Sequence, residues 1–247
     1  MVSWWPGDDN TDDVIDGNSG AFVGNTSYST GEVGQAFSFD GSNYVEVPDA
    51  ANLDFAPNAA ITIDMWVYRT GSAGAMHFIG KRVACSSINY QMGINTFSGE
   101  GLFFGNGLDD EVATGQDLPL NTWTHLAGTF DGSTYRFYIN GTLAGTAAGT
   151  LGSPNSAPLR IGTSGDCQKF VGLIDEVELF NRALSQAEIQ SIVDAGSAGK
   201  CRPQGTPTPT HTATATPTAT ATATPTATVT PRPTPTPRPR PSPAPRP

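Results

Sequence analysis

The segment from Trp123 to Gly141 constrains the fold more than any other part of the chain. It reads WTHLAGTFDGSTYRFYING, with one strand-like run ending at Asp131-Gly132 and a second ending at Asn140-Gly141. Asp-Gly and Asn-Gly are the strongest short signals for a two-residue type I′ hairpin turn, because these residues tolerate the positive φ angles that the turn requires. The segment therefore predicts an antiparallel β-sheet.

Side chains around these turns alternate between apolar and polar. Tyr135, Phe137 and Ile139 fall on one face, as expected for a strand with one buried side. Similar short segments recur along the chain with turn signals between them. The predicted strands are residues 35–39, 44–47, 61–68, 77–80, 90–94, 102–104, 122–129, 134–139, 143–147, 159–162 and 173–180. So many short strands predict an all-β sandwich of two antiparallel sheets.

One short helix is predicted near the end of this region. Residues 185–188 read SQAE, a capping box in which the Ser185 hydroxyl and the Glu188 carboxylate accept hydrogen bonds from backbone amides of the first turn. An apolar stripe follows within residues 189–193, and Gly196 gives a stop signal. We expect this helix to pack on the edge of the sandwich.

The composition changes near Cys201. From Gly205 onward Val229 is the one aliphatic residue larger than Ala apart from the prolines, and Thr occupies every even position from 206 to 230. Such a segment cannot bury enough apolar surface to offset its conformational entropy. We therefore predict a folded domain at residues 1–202 and a Thr/Pro-rich tail at residues 203–247. A domain of this size buries roughly 70% of its unfolded surface, which suffices for one core.

Thr-Pro and Thr-Ala repeats favour polyproline II, and dense Thr with Pro is typical of an O-glycosylated stalk in a secreted protein. The candidate glycosylation sites are Thr206, Thr208, Thr210, Thr212, Thr214, Thr216, Thr218, Thr220, Thr222, Thr224, Thr226, Thr228, Thr230, Thr234 and Thr236. An unmodified flexible spacer is the alternative.

Charge and hydropathy exclude several classes of partner. All 23 acidic residues precede Gly205, whereas four of the thirteen Lys and Arg residues follow it, which leaves a net charge of −14 on residues 1–204 and +4 on the tail. An acidic domain without a basic stripe argues against binding nucleic acid. No run of 18 apolar residues is present, so we expect no membrane insertion. The N-terminus shows no signal-peptide pattern.

Three cysteines allow one disulfide and leave one thiol over. None of Cys85, Cys167 and Cys201 has CxxC spacing. Buried free thiols are one interpretation; the extracellular character of the tail favours a Cys85–Cys167 bridge between loops at the sheet edge.

Five motifs follow one another in a recognisable order. They are WWPG at residues 4–7, VGQAFSFDG at 33–41, YVEVP at 44–48, WTHLA at 123–127, and GLIDEV at 172–177 followed by NRALS at 181–185. In this order they resemble the laminin G-like domains of the concanavalin A-like lectin/glucanase superfamily. The resemblance covers the chain from about Ser3 to Ala195 and implies a jelly-roll sandwich of two curved sheets. Such domains are mostly accessory modules that bind glycans or proteins, although glycosidases share the fold.

The resemblance also gives a test for catalysis. The enzymatic branch of this fold keeps two catalytic Glu and an assisting Asp at positions i, i+2 and i+4 of one strand, so that all three project from one face. Here Glu176 and Glu178 share a face, but strict alternation points Asp175 to the opposite face and position 174 is Ile. We therefore predict no catalytic residue and no enzyme activity.

A calcium site is predicted from the same resemblance. Relatives commonly bind one Ca²⁺ where an N-terminal acidic loop meets the last long strand, and the matching residues are Asp13 and Asp175, with Asp40 in a nearby turn. Calcium prefers six to eight oxygen ligands, so carboxylates, carbonyls and waters would suffice. Alternatively the acidic loop is only solvated, and Asp175 bonds to Arg182 or to backbone.

Aromatic side chains are the candidates for a sugar-binding face, although each is also a plausible core residue. They are Trp66, Tyr90, Phe103 and Tyr138, and the sequence assigns none of them as a ligand-binding residue.

The predicted function is an extracellular, secreted or cell-surface, non-catalytic module that binds glycans or cell-surface proteins. The first alternative is a structural subunit that joins other copies of itself into a fibre through the tail. The less favoured alternative is a glycoside hydrolase.

Overall fold

The computed structural model describes residues 1–25, 27–72, 74–106, 110–200 and 235. The chain divides into two units, Met1–Gln204 and Gly205–Pro247. The predictions made for the tail, including its glycosylation sites, its role as a stalk and its role in a fibre, lie outside the described residues. Within the described ranges, no helix has the length and apolar character that crossing a bilayer requires.

The first unit is built almost entirely of strands. They are β1 Ser3–Trp5, β2 Ala21–Val23, β3 Tyr28–Thr30, β4 Gln35–Asp40, β5 Tyr44–Val47, β6 Ile61–Arg69, β7 Ala75–Arg82, β8 Ile88–Asn95, β9 Gly101–Gly105, β10 Glu111–Ala113, β11 Trp123–Phe130, β12 Thr134–Ile139, β13 Thr142–Ala148, β14 Leu159–Ile161 and β15 Val171–Phe180. One α-helix, α1 Gln186–Ala195, and two 3₁₀ turns, Ala51–Leu53 and Gly196–Ala198, complete the described elements.

The strands form two sheets in which every pair of neighbours is antiparallel. The first sheet has the order β13-β12-β11-β6-β15-β4-β3, with β1 also paired to β15. The second sheet has the order β10-β9-β8-β7-β14-β5-β2. The predicted all-β, two-sheet antiparallel sandwich is confirmed.

Each of the eleven predicted strands is present, with ends that differ by a few residues. The four strands that were not predicted, β1, β2, β3 and β10, have three residues each. A strand of three residues is too short to show alternation, so these strands exist because longer neighbours offer them hydrogen bonds.

The core lies between the two sheets. Ile61, Ile63, Met65 and Val67 of β6 are fully buried and face it, as their alternation predicts. Burying an aliphatic side chain of this size contributes roughly 1.5–3 kcal/mol, so the 33 core residues together are the main stabilising term.

A smaller apolar cluster lies on the outer face of the first sheet. There Ile189 and Leu184 from the C-terminal region pack on Ala127, Tyr138 and Phe180. The predicted helix is therefore confirmed, and it covers part of the sheet face.

The start of α1 has the predicted capping box. Ser185 Oγ accepts from the Glu188 amide at 3.4 Å, and Glu188 Oε2 accepts from the Ser185 amide at 2.9 Å.

The two hairpin turns differ. Asn140 and Gly141 have φ angles of 48° and 76°, as a type I′ turn requires. At the other turn only Gly132 has a positive φ, and the Asp131 carboxylate accepts hydrogen bonds from the amides of Ser133 and Thr134. The prediction of a two-residue turn at Asp131-Gly132 is wrong, because this side chain organises a longer loop.

A disulfide joins Cys85 to Cys167, the predicted pair, with Cα atoms 5.8 Å apart. It links the loop after β7 to the segment before β15. Cys201 lies outside the described residues.

Candidate functional site

The outer face of the second sheet carries a groove with a volume of about 590 Å³. Strands β7 to β10 contribute its floor and one wall, while the loop after β8 and the disulfide loop contribute its rim. The floor is therefore positioned by paired strands, which hold side chains more rigidly than loops do.

Two rings lie side by side on the floor. The imidazole of His77 and the ring of Phe103 are 5.7 Å apart between centroids and meet at 86°. Gly93 of β8 lies beneath both: a Cβ atom there would be 2.8 Å from His77 Cδ2 and 3.0 Å from Phe103 Cζ. Because any side chain at Gly93 would displace one of the rings, the glycine is what allows them to rest on the strand.

Polar groups complete the floor, and some of them lack partners. Gln91 Oε1 accepts from Arg82 Nη1 at 2.8 Å and from Ser164 Oγ at 3.0 Å. Arg82 Nε and His77 Nδ1 are buried without a hydrogen-bond partner among the described residues. Burial, followed by the charge of Arg82, lowers the pKa of His77 to about 4, so this imidazole is neutral at pH 7. A buried polar group without a hydrogen-bond partner costs about 1–3 kcal/mol.

The rim combines apolar and polar surface. Phe97 is 83% exposed, a high value for so large an apolar side chain. Nearby, Asn95 Nδ2 donates to Glu100 Oε2 at 2.8 Å. Binding sites for small polar ligands pair an apolar surface with a few placed hydrogen-bonding groups, and this groove offers both.

Of the four aromatic residues predicted as sugar-binding candidates, Phe103 lines the groove. Tyr90 points into the core, where its hydroxyl donates to the Leu53 carbonyl at 2.9 Å. Trp66 and Tyr138 are buried on the first sheet. These three residues therefore do not line the groove, and their positions do not support a role in binding sugar there.

Sequence reasoning missed the groove residues His77, Gln91 and Phe97. A usable signal existed in β8, where Gln91 and Asn95 alternate with buried Met92 and Ile94. That alternation indicates an outward polar face. It does not show that the face stays open, since this depends on which sheet the C-terminal helix covers.

The three acidic residues of β15, Asp175, Glu176 and Glu178, do not follow the strict alternation between sheet faces that the sequence predicted. Asp175 is paired with Trp66 and Glu178 with Asp64, so a β-bulge separates them and Glu176 adopts a φ of +52°. Trp66 and Asp64 are two residues apart on one strand, which places Asp175 and Glu178 on the same face. The prediction that Asp175 points to the opposite face is wrong, because a bulge resets strict alternation.

These carboxylates are nevertheless buried. Asp175 and Glu178 are 0% exposed and Glu176 is 2% exposed. Glu176 accepts a hydrogen bond from Trp4 Nε1 at 3.0 Å, and Glu178 pairs with Lys200 at 2.7 Å. Burial raises the pKa of Glu176 to about 7 and that of Asp175 to about 8. None of them lines the groove on the second sheet or the two smaller cavities near it.

The carboxylates of the three predicted calcium ligands already accept hydrogen bonds within the protein. Asp13 accepts hydrogen bonds from four backbone amides, and Asp40 Oδ1 accepts three from Ser42 and Asn43. Asp175 accepts from the Val33 amide, and its other oxygen, Oδ1, is buried without a hydrogen-bond partner in the part of the chain that the structure describes.

Within the described ranges, no group of three or more His, Cys, Asp or Glu side chains is placed to hold a metal. Calcium binding stays a prediction, which a melting curve with and without EDTA tests.

Comparison with known proteins gives a family match. A laminin G family model, described as the Concanavalin A-like lectin/glucanases superfamily, matches residues 39–190. No curated protein sequence matches the chain.

Several solved structures share the fold. Domain 4 of AbnA, a GH43 extracellular arabinanase from Geobacillus stearothermophilus in complex with arabinotriose, has a TM-score of 0.63 and 20% identity over 77% of this chain and 96% of that domain. The binding domain of Paraclostridial Mosquitocidal Protein 1 has a TM-score of 0.60 and 16% identity, covering 78% of this chain and 51% of that one. Trypanosoma rangeli sialidase has a TM-score of 0.59 and 17% identity, covering 78% of this chain and 32% of that one.

Proposed function

Because the chain belongs to the concanavalin A-like lectin/glucanases superfamily, we propose that it is a non-catalytic module that binds glycans in the groove on its second sheet. One observation carries the proposal. The groove is lined by an exposed aromatic ring, Phe97, and by the polar side chains of His77, Gln91 and Arg82. A saccharide has an apolar ring face that can pack on the aromatic ring and hydroxyl groups that can bond to the polar groups.

The nature of the similar structures supports a binding role. One is domain 4 of an extracellular arabinanase, in complex with arabinotriose, and another is the binding domain of a mosquitocidal protein. Each is similar to this chain in fold at 20% identity or less, so the identity of the glycan does not transfer with the fold.

The absence of catalysis is part of the proposal. A glycosidase needs two carboxyl groups that flank a bound sugar, about 5–9.5 Å apart. Glu176 and Glu178 are buried beneath Trp4 and Lys200, on the sheet that does not carry the groove. Glu100 and Glu111 line the groove, but Glu100 is already bonded to Asn95.

An extracellular location is proposed on two grounds. A disulfide persists in oxidising compartments, and Cys85 and Cys167 are bonded. The composition of residues 203–247 is typical of a glycosylated stalk. Such a stalk would hold the domain away from the surface or partner that carries it.

A glycan array tests the proposed function, with the full chain and its Phe97→Ala variant as probes. We expect the wild-type chain to bind a defined set of glycans and Phe97→Ala to weaken that binding roughly 10-fold, because an exposed ring contributes to binding without supporting the fold. Leu143→Ala is the matched control, since Leu143 is an exposed apolar residue at the edge of the first sheet.

The proposal fails if no glycan binds. It also fails if Leu143→Ala weakens binding as much as Phe97→Ala does.

A further inference from the structure

One arginine in the groove differs from the others that the structure describes. Arg69, Arg136, Arg160 and Arg182 each form an ion pair with at least one carboxylate. Arg82 forms none within the described residues, although its side chain is buried to all but 8% of its surface. Burying a charge without a counter-charge is costly, so such an arrangement is retained where a ligand supplies the counter-charge.

The bonds that Arg82 makes leave one edge of its guanidinium without a described partner. Nη1 donates to Gln91 Oε1 at 2.8 Å. Nε is shielded from solvent and has no partner among the described residues, and Nη2 donates to no described residue. Nε and Nη2 together form the edge that binds a carboxylate through two parallel hydrogen bonds. The Gln91 contact thus fixes the plane of the guanidinium and leaves Nη2 as the donor that a ligand carboxylate meets first, with Nε reached only when the side chains that cover it move aside.

Burial lowers the pKa of Arg82, and no neighbouring carboxylate raises it. The shift is in the direction expected when a cation is desolvated without compensation. The guanidinium remains charged at pH 7, because the ordinary pKa of arginine lies far above neutrality.

The part of the groove that lies away from Arg82 is lined by neutral and acidic side chains. Asn95 lies four residues further along β8 from Gln91, roughly 13 Å away at the usual rise per residue. Glu100 and Glu111 also line the groove. Carboxylates accept hydrogen bonds from hydroxyl groups and repel anions, so these glutamates suit the neutral part of a ligand. The groove therefore carries one cationic position and otherwise favours hydroxyls.

We propose that the groove selects acidic saccharides, with the carboxylate of a uronic or sialic acid residue held by the guanidinium of Arg82 and the hydroxyl-bearing remainder of the glycan lying toward Asn95 and Glu100. This inference rests on the proposed function of the groove and names the class of glycan that it takes.

The test uses the full chain and three acidic probes, namely oligogalacturonate, oligoglucuronate and sialyllactose, each paired with its carboxyl-reduced neutral form. Short oligosaccharides are used because a long polyanion could also bind the four arginines of the tail. We expect at least one acidic probe to bind roughly 10-fold to 100-fold more tightly than its reduced form, since a charge-assisted pair is stronger than a neutral hydrogen bond. Affinities are measured by isothermal titration calorimetry at 0.15 M NaCl, because salt at this concentration screens the general repulsion between the acidic domain and the acidic probes.

Two variants locate the effect. Arg82→Gln should remove the preference for the acid form, and Arg82→Lys, which keeps the charge but loses the planar edge, should restore only part of it. Arg136→Gln is the matched control, because Arg136 lies on the first sheet and pairs with Asp131. Melting curves of the variants establish that each is folded.

The outcomes separate this inference from the proposed function. If neutral forms bind as tightly as acidic ones and Phe97→Ala weakens both, the groove binds glycans but the inference is overturned. If Arg82→Gln keeps the acid preference, the carboxylate is held elsewhere and the inference is again overturned. If no glycan binds in any form, the proposed function and the inference fail together.

Discussion

Several buried charged residues on the first sheet influence the stability of this domain. Asp64, Glu176 and Glu178 are three buried carboxylates on one face, and Lys200 is the cation that pairs with Glu178 and whose charge also favours ionisation of the other two. Burial raises the pKa of Asp64 well above its ordinary value and that of Glu176 to about 7. Glu176, one of the residues that look most catalytic in the sequence, is thus a buried structural group with a raised pKa.

This state of Glu176 predicts a pH dependence. The pKa of its carboxyl is about 7 in the folded chain and about 4.5 in the unfolded chain. Between pH 4.5 and pH 7 the folded chain therefore keeps a proton that the unfolded chain has lost. The stability that this proton represents is complete below pH 4.5 and is lost as the pH rises through 7. Glu176→Gln, which cannot ionise, should match the wild-type chain near pH 4 and exceed its unfolding free energy by about 3 kcal/mol at pH 8.5.

Urea unfolding from pH 4 to pH 8.5 measures the difference. Glu188→Gln is the matched control with the opposite sign, because Arg182 lowers the pKa of the exposed Glu188 to about 2. Its ionised form is stabilised, so that variant should be the less stable one above pH 4.5. A stability difference for Glu176→Gln that does not change with pH would refute the assignment.

At the scale of elements, the strands with enough residues to alternate were predictable and the details that depend on tertiary contacts were not. The period-two pattern of β6 and the capping box of α1 led directly to the right elements. The bulge before Glu178 was not predictable, since it requires a positive φ at a glutamate that the sequence does not mark. The groove was not predictable either, because its floor joins three strands whose residues are separated by turns.

The cap of α1 allows a quantitative test at this scale. Ser185→Ala removes the acceptor for the Glu188 amide, and we expect the chain to lose about 1 kcal/mol of unfolding free energy. Ser191→Ala is the control: Ser191 is exposed within the same helix, and its hydroxyl only donates back to the Ala187 carbonyl. Denaturant midpoints of the two variants give the comparison. Equal midpoints would show that the cap does not hold the helix on the sheet.

At the scale of the whole folded unit, the two outer sheet faces have different roles. The outer face of the first sheet is covered in part by α1, and its charged residues meet Lys200. The outer face of the second sheet carries the groove, with its ring pair on Gly93 and the unpaired guanidinium of Arg82. Covering one face leaves the other as the surface for recognition.

The central claim, that the groove on the second sheet is the binding surface, is tested most directly by an NMR titration. The glycan that binds most strongly on the array is added to the ¹⁵N-labelled chain, and backbone amide shifts are mapped on the sequence. The largest shifts are predicted at His77, Gln91, Gly93 and Phe103, which form the floor of the groove. Shifts confined to strands of the first sheet, with these four amides unchanged, would contradict it.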